Sequence, residues 1–160
     1  MNRQIRPLAR QDIPAAVGLI RESFATVAQA LRFTQEDAPR FTAFSTTEER
    51  LLWQMEQERR PMFALFVEGA MAGYYSLRME PAACELNNLC VLPAYRHKGL
   101  GGILLRDAFF RAAGLGATVM KIGIVEENRR LRAWYEAAGF IHTGTEKFPF
   151  TCGYMERALP

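Results

Sequence analysis

Residues 89–102 constrain the fold of this chain more than any other stretch. They are typical of an apolar strand that ends at Pro93, followed by a basic, glycine-rich turn that opens a helix at Leu100. The first N–H groups of a helix have no partner within it, and the helix dipole makes that end positive. Gly99 and Gly101 carry no Cβ, so an anion can approach the backbone closely. The sequence therefore predicts a phosphate-binding turn between a strand and a helix.

The size and composition fit one domain over residues 1–160. Of the 160 residues, 49% are hydrophobic and 23% charged, which is ordinary for a soluble globular protein. No apolar run approaches the roughly 20 residues that span a bilayer, and the N-terminal residues lack the apolar core of a signal peptide. We therefore expect a cytoplasmic protein without a membrane partner. The formal charge of +3 is too small to indicate nucleic-acid binding.

Metal binding is not expected. The three cysteines form no CxxC pair, and neither histidine stands at metal-ligand spacing from them. We expect the cysteines to be free thiols, because a structural disulfide is unusual in the cytoplasm.

Periodicity and turn residues predict an alternation of strands and helices. Strands are predicted at residues 4–8, 62–67, 71–79, 84–92, 118–125, 140–147 and 152–159, and helices at residues 12–24, 47–58, 100–113 and 128–138. The strand–helix–strand order in the middle implies a parallel pair with a right-handed crossover. The fold class is therefore α/β, with a mixed, mostly antiparallel sheet of about seven strands, a central parallel pair and about four helices.

Two common phosphate-binding motifs do not fit the turn. A Walker P-loop requires Gly-x-x-x-x-Gly-Lys-Ser/Thr, which is absent from the sequence. A Rossmann fingerprint requires a third small residue where Leu104 stands, and an acidic residue that ends the next strand earlier than Glu126 does.

The pattern Arg96-x-x-Gly99-x-Gly101 resembles the acyl-CoA pyrophosphate loop of the GNAT superfamily of N-acetyltransferases. A second signature follows, in which Asn128 precedes Tyr135 by seven residues and a Gly-Phe pair comes after it. The two signatures stand in the right order, separated by a helix and a strand of suitable length. The resemblance implies a single-domain GNAT fold, a cofactor core at residues 84–140 and acetyl-CoA as the acyl donor.

The resemblance also assigns cofactor-binding roles. The strand before the turn would pair with the pantetheine arm, the backbone of the turn would hold the pyrophosphate, and Arg96 would supply a charge. Asn128 matches a polar contact to the cofactor arm, although an ordinary helix N-cap looks the same in sequence. The implied cofactor-binding residues are Leu89, Cys90, Val91, Arg96, His97, Lys98, Gly99, Leu100, Gly101, Gly102 and Asn128.

Acetyl transfer to an amine needs a group that protonates the departing thiolate and a group that accepts the proton of the ammonium. The superfamily uses a tyrosine at the position of Tyr135 as general acid, although an aromatic residue that only packs there would look the same. Glu85 stands at the offset of the catalytic glutamate in histone-acetylating members, and strand alternation would put it on one face with Leu89 and Val91. A solvated carboxylate at the strand end is the alternative. Gly123 stands where members that acetylate protein N-termini carry a glutamate, which argues against that subtype.

The acceptor would be a primary amine of a small molecule or peptide. Its specificity is expected from residues 25–45, from residues 145–155 and from Tyr74 and Tyr75. Residues 25–45 combine three phenylalanines with Glu36 and Asp37, which could line a pocket for an apolar amine or simply pack beneath the sheet. A homodimer paired through the last strands is possible. The competing function is a non-catalytic sensor or scaffold that holds acyl-CoA without turnover.

Overall fold

The computed structural model describes residues 2–160, which form one seven-stranded sheet with helices on both faces. The strands are β1 (Arg3–Pro7), β2 (Met62–Val67), β3 (Ala70–Glu80), β4 (Ala83–Val91), β5 (Val119–Val125), β6 (Ile141–Lys147) and β7 (Thr151–Ala158). The helices are α1 (Ile13–Leu31), α2 (Thr42–Ser45), α3 (Glu48–Glu56), α4 (Leu100–Gly114) and α5 (Arg129–Ala137). Single 3-10 turns lie at Arg10–Asp12 and Pro93–Tyr95. No helix within this part of the chain is long and apolar enough to cross a membrane.

The predicted fold class is confirmed. The strand order is β1-β2-β3-β4-β5-β7-β6, and β4–β5 is the parallel pair in an otherwise antiparallel sheet. Two helical details differ from the prediction. The four-residue helix α2 was not predicted, and α1 continues to Leu31, where Arg32 ends it in the left-handed conformation with φ +59°. The longer α1 places Ala28 among the buried residues.

The sheet separates two layers of core. Helices α4 and α5 pack on one face through residues such as Leu104 and Tyr135, and helices α1 and α3 pack on the other through Ile20 and Leu51. Tyr74 and Tyr75 point to opposite faces of β3, and both are fully buried in these layers. The expectation that this pair contributes to acceptor specificity is therefore wrong, because neither side chain reaches the surface.

Strands β4 and β5 separate after a short stretch of pairing. Their parallel register covers Ala83, Cys84 and Glu85 of β4, and no further β4 residue pairs with β5. The other edge of β5 stays paired with β7 as far as Val125. Beyond Glu85 the two central strands therefore leave an opening in the middle of the sheet.

A β-bulge in β4 changes which residues face this opening. Tyr75 of β3 stands opposite two residues of β4, Asn88 and Leu89, and Asn88 has φ +56°. An extra residue in one strand reverses the alternation of its side chains. Leu89 consequently packs with the α4 face, as Leu86 does before the bulge. The prediction that Glu85 shares a face with Leu89 and Val91 is therefore wrong, because the bulge lies between them.

Gly73→Ala in β3 tests the packing of α4 on the sheet, and Gly18→Ala in α1 is its control. A Cβ at Gly73 of β3 would lie 2.7 Å from Leu104 Cδ1 and 3.1 Å from the Cys90 carbonyl oxygen. We expect Gly73→Ala to lower the free energy of unfolding by about 1–3 kcal/mol, because crowding the core forces its neighbours to move. A Cβ at Gly18, on the exposed side of α1, meets nothing within 4 Å. Gly18→Ala should therefore raise the free energy of unfolding by about 0.5–1 kcal/mol. Urea unfolding measures both, and equal effects of the two changes would contradict this packing.

Candidate active site

The glycine-rich turn forms an open depression at the start of α4. Gly99 is the N-cap of the helix in the left-handed conformation, with φ +77°, and His97 has φ +62°. No side chain caps this helix, so the amides that open it remain available to a ligand. All the predicted cofactor-binding residues except Lys98 and Asn128 line this depression. The Lys98 ammonium lies at its margin, 5.9 Å from the centre of the Tyr95 ring.

Arg96 fixes the conformation of the turn through hydrogen bonds, and its guanidinium is not an unpaired charge beside the turn. Its Nε donates to the Val91 carbonyl oxygen at 3.0 Å. Its Nη1 donates to Thr26 Oγ1 at 3.0 Å and its Nη2 to the Ser23 carbonyl oxygen at 2.9 Å. These bonds join the turn to the end of β4 and to α1, so the guanidinium fixes where the loop amides point.

A second cavity occupies the opening between β4 and β5. Its walls include Leu86, Ile122 and Ile124, and it shares Leu89 and Leu131 with the depression at the turn. The shared residues place the two spaces side by side, between the amides of α4 and the middle of the sheet. An elongated ligand with its anionic end at the amides could extend along both.

Tyr135 lies in the wall of this second cavity. It is 5% exposed, and its ring packs edge-on against Trp134 at 4.9 Å and Phe140 at 5.3 Å between ring centres. Burial raises the pKa of the Tyr135 hydroxyl above its usual value of 10. The phenol therefore stays protonated at neutral pH and has a proton available to donate.

Asn128 is the N-cap of α5, one of the two roles that its position in the sequence predicted. Its Oδ1 accepts a hydrogen bond from the Leu131 N–H at 3.2 Å at the start of α5. The side chain also lines the cavity between β4 and β5. Capping uses the side-chain oxygen and leaves the amide NH₂ as a donor toward a ligand.

Glu85 lies outside the cavity that holds Tyr135. It is the last β4 residue in the parallel register with β5, and its Oε1 accepts a hydrogen bond from Asn87 Nδ2 at 2.7 Å. It lines a separate depression, together with Lys121 and Tyr154. The structure thus places Glu85 at the foot of the opening but does not bring it next to Tyr135.

Several residues of the site were missed in the sequence. Leu131 and Trp134 line the depression at the turn, and a Cβ at Gly101 would lie 3.6 Å from the Trp134 ring. Leu131 stands four residues before Tyr135 and three before Trp134 on a predicted helix, and this spacing is the signal that could have found them, since residues three and four apart share a face. Glu36 and Asp37 line no part of the cavity; Asp37 Oδ1 instead accepts a hydrogen bond from the Thr34 N–H at 2.7 Å.

An ion-pair cluster holds α5 against β6. Glu126 accepts a hydrogen bond from Arg132 Nη1 at 3.0 Å and contacts His142 Nε2. Desolvation raises the pKa of Glu126, but the hydrogen bonds from His142 and Arg132 outweigh it and lower the pKa below its usual value. The carboxylate occupies space over Gly153 that a Cβ would take. The cluster fixes the helix that carries Tyr135.

Comparison with known proteins gives consistent matches. Residues 28–140 match the acetyltransferase (GNAT) family. An uncharacterized N-acetyltransferase encoded in the pepI 3' region of Lactobacillus delbrueckii subsp. lactis is 23% identical over 85% of this chain and 83% of that protein. The PaiA N-acetyltransferase of Thermoplasma acidophilum, solved with coenzyme A, superposes with a TM-score of 0.86 and 22% identity over 99% of both chains. YncA of Salmonella typhimurium, solved with acetyl-CoA, superposes with a TM-score of 0.74 and 21% identity over 100% of this chain and 95% of that one.

Proposed function

Because the chain belongs to the acetyltransferase (GNAT) family, we propose that it transfers an acetyl group from acetyl-CoA to a primary amine. The transfer proceeds by direct attack of the amine while donor and acceptor are bound together. The observation that carries this proposal is that the depression at the amides of α4 adjoins the cavity lined by the buried Tyr135, with Leu89 and Leu131 in both walls.

The residues of these two adjoining spaces suit the parts of acetyl-CoA in turn. The open amides between His97 and Gly102 suit a pyrophosphate, since they combine free N–H groups with the positive end of a 15-residue helix. The backbone of Leu89, Cys90 and Val91 borders the opening where β4 leaves β5, so it can pair with an extended arm as an added strand would. Asn128 offers a further donor along this arm.

Tyr135 is the proposed general acid. Acetyl-CoA supplies an acetyl group activated as a thioester. As the C–N bond to the acceptor forms and the C–S bond breaks, Tyr135 donates its hydroxyl proton to the departing sulfur. The hydroxyl is protonated at neutral pH, so it carries the proton that the departing thiolate takes up.

Glu85 is the proposed acceptor of the ammonium proton. Its position at the last paired residue between β4 and β5 supports a relay through water in the opening, rather than direct contact with the amine. The separation of Glu85 from the cavity of Tyr135 is also what favours the second candidate, a non-catalytic acyl-CoA sensor. The two candidates differ in turnover, not in binding.

Pairing of two copies through the edge strand β6 stays a prediction.

Heating the protein with acetyl-CoA tests the proposed donor. A ligand at about 100 times its Kd stabilises the folded state by about 2.7 kcal/mol. For a chain of this length that corresponds to a rise in Tm of about 5–10 °C. Differential scanning fluorimetry measures the shift, with pantetheine as the control that lacks the pyrophosphate. No shift at millimolar acetyl-CoA would overturn the proposal.

A further inference from the structure

The outer wall of the cavity is a cluster of aromatic side chains drawn from three separate segments. Phe24 comes from α1, Phe41 precedes α2, and Phe150 lies in the turn between β6 and β7. The Phe41 ring is 4% exposed and meets Phe24 edge-on at 6.2 Å and Phe150 edge-on at 5.9 Å between ring centres. Phe33 packs behind it, 5.2 Å from Phe41. The wall is therefore a packed apolar surface that favours an apolar group on the acceptor.

The only formal charge among the described residues that line this cavity is positive. Arg40 is the one formally charged residue among those of residues 2–160 that line the cavity, and no carboxylate lines it. Arg40 is exposed and takes part in none of the ion pairs found in the described part of the chain. A polycationic amine would meet repulsion here and no counter-charge. An anionic group would meet an unengaged guanidinium with paired donors, the geometry that suits a carboxylate.

We propose that the acceptor is a free α-amino acid with an apolar side chain, whose carboxylate binds Arg40 and whose side chain packs on the wall of Phe24, Phe41 and Phe150. The inference rests on the proposed acetyl transfer and names its substrate class. With the carboxylate at Arg40 and the side chain against the rings, the amino group would enter the cavity whose wall also contains Tyr135. Desolvation beside the rings lowers the pKa of that amine, which favours the neutral form that attacks.

Paired acceptors test the class. Leucine and phenylalanine are compared with leucinamide and phenylalaninamide, which lack the carboxylate, and with spermidine as a polycation. Release of free coenzyme A thiol reports turnover in each case. We expect kcat/KM for the acids to exceed that for their amides by about tenfold or more, since a hydrogen-bonded charge pair is lost in the amides. Spermidine should show no turnover above the background.

Substitutions at Arg40 assign the preference to this residue. Arg40→Gln should lower kcat/KM for the acids to that of the amides. Arg40→Glu should reverse the order and admit spermidine. The matched control is Arg50→Gln on the exposed surface of α3, which should keep the wild-type preference. Phe150→Ala should lower kcat/KM for phenylalanine more than for alanine.

The outcomes separate this inference from the proposed function. If acetyl-CoA binds but the amides or spermidine are acetylated as well as the acids, or no acceptor is turned over, the amino-acid assignment is overturned while the donor site stands. If the preference for acids survives in Arg40→Gln, the role of Arg40 is overturned. If acetyl-CoA does not bind, the proposed function itself fails, and this inference with it.

Discussion

Replacing Tyr135 with phenylalanine is expected to lower kcat by about 100- to 10,000-fold, the usual contribution of a general acid. The change removes the hydroxyl that protonates the departing thiolate and keeps the ring that packs on Trp134 and Phe140. Binding of acetyl-CoA should therefore stay within about twofold. Steady-state kinetics with an acetylated acceptor and calorimetric titration with acetyl-CoA give the two quantities.

Tyr75→Phe is the matched control for Tyr135→Phe. The Tyr75 hydroxyl donates to Asp107 Oδ2 at 2.6 Å in the core, and the residue lines neither cavity of the site. Its loss should lower the free energy of unfolding by about 1 kcal/mol and leave kcat unchanged. If Tyr135→Phe turned over as fast as the wild type, Tyr135 would be a packing residue and not the general acid.

A glutamate at Gly101 is expected to weaken acetyl-CoA binding by about 100-fold or more. A Cβ at this position meets only the Trp134 ring at 3.6 Å, an ordinary contact, so the backbone tolerates a side chain. The carboxylate would stand among the amides proposed to hold the pyrophosphate, where two like charges cost several kcal/mol. Since 1.4 kcal/mol is tenfold in affinity, a loss of this size should be clear in calorimetric titration.

Two further variants isolate the cause. Gly101→Gln fills the same space without the charge and should lose much less affinity than the glutamate. Gly114→Glu places the same charge at the exposed far end of α4 and should bind acetyl-CoA as the wild type does. Binding by Gly101→Glu within about threefold of the wild type would show that the pyrophosphate does not lie on this turn.

The features of the site that depend only on residues close together in the chain could be predicted from the sequence. The turn at Gly99 requires a positive φ that glycine adopts without strain, and the structure has it there. The cap at Asn128 could be predicted from local hydrogen bonding, and the order of strands and helices from the periodicity of apolar residues. The separation of Glu85 from Leu89 could not be predicted, because one extra residue in β4 is invisible to a period-two pattern.

The sequence by itself determined that an apolar strand runs into a turn of bare amides at Gly99 and that Tyr135 follows on the next helix. Short-range backbone preferences suffice for both. Only the tertiary structure decided that Arg96 reaches across to α1, that β4 and β5 part beyond Glu85, and that rings from three distant segments meet beside Arg40. Contacts between residues far apart in the chain depend on strand register and on how helices pack, and these are fixed by the whole core at once.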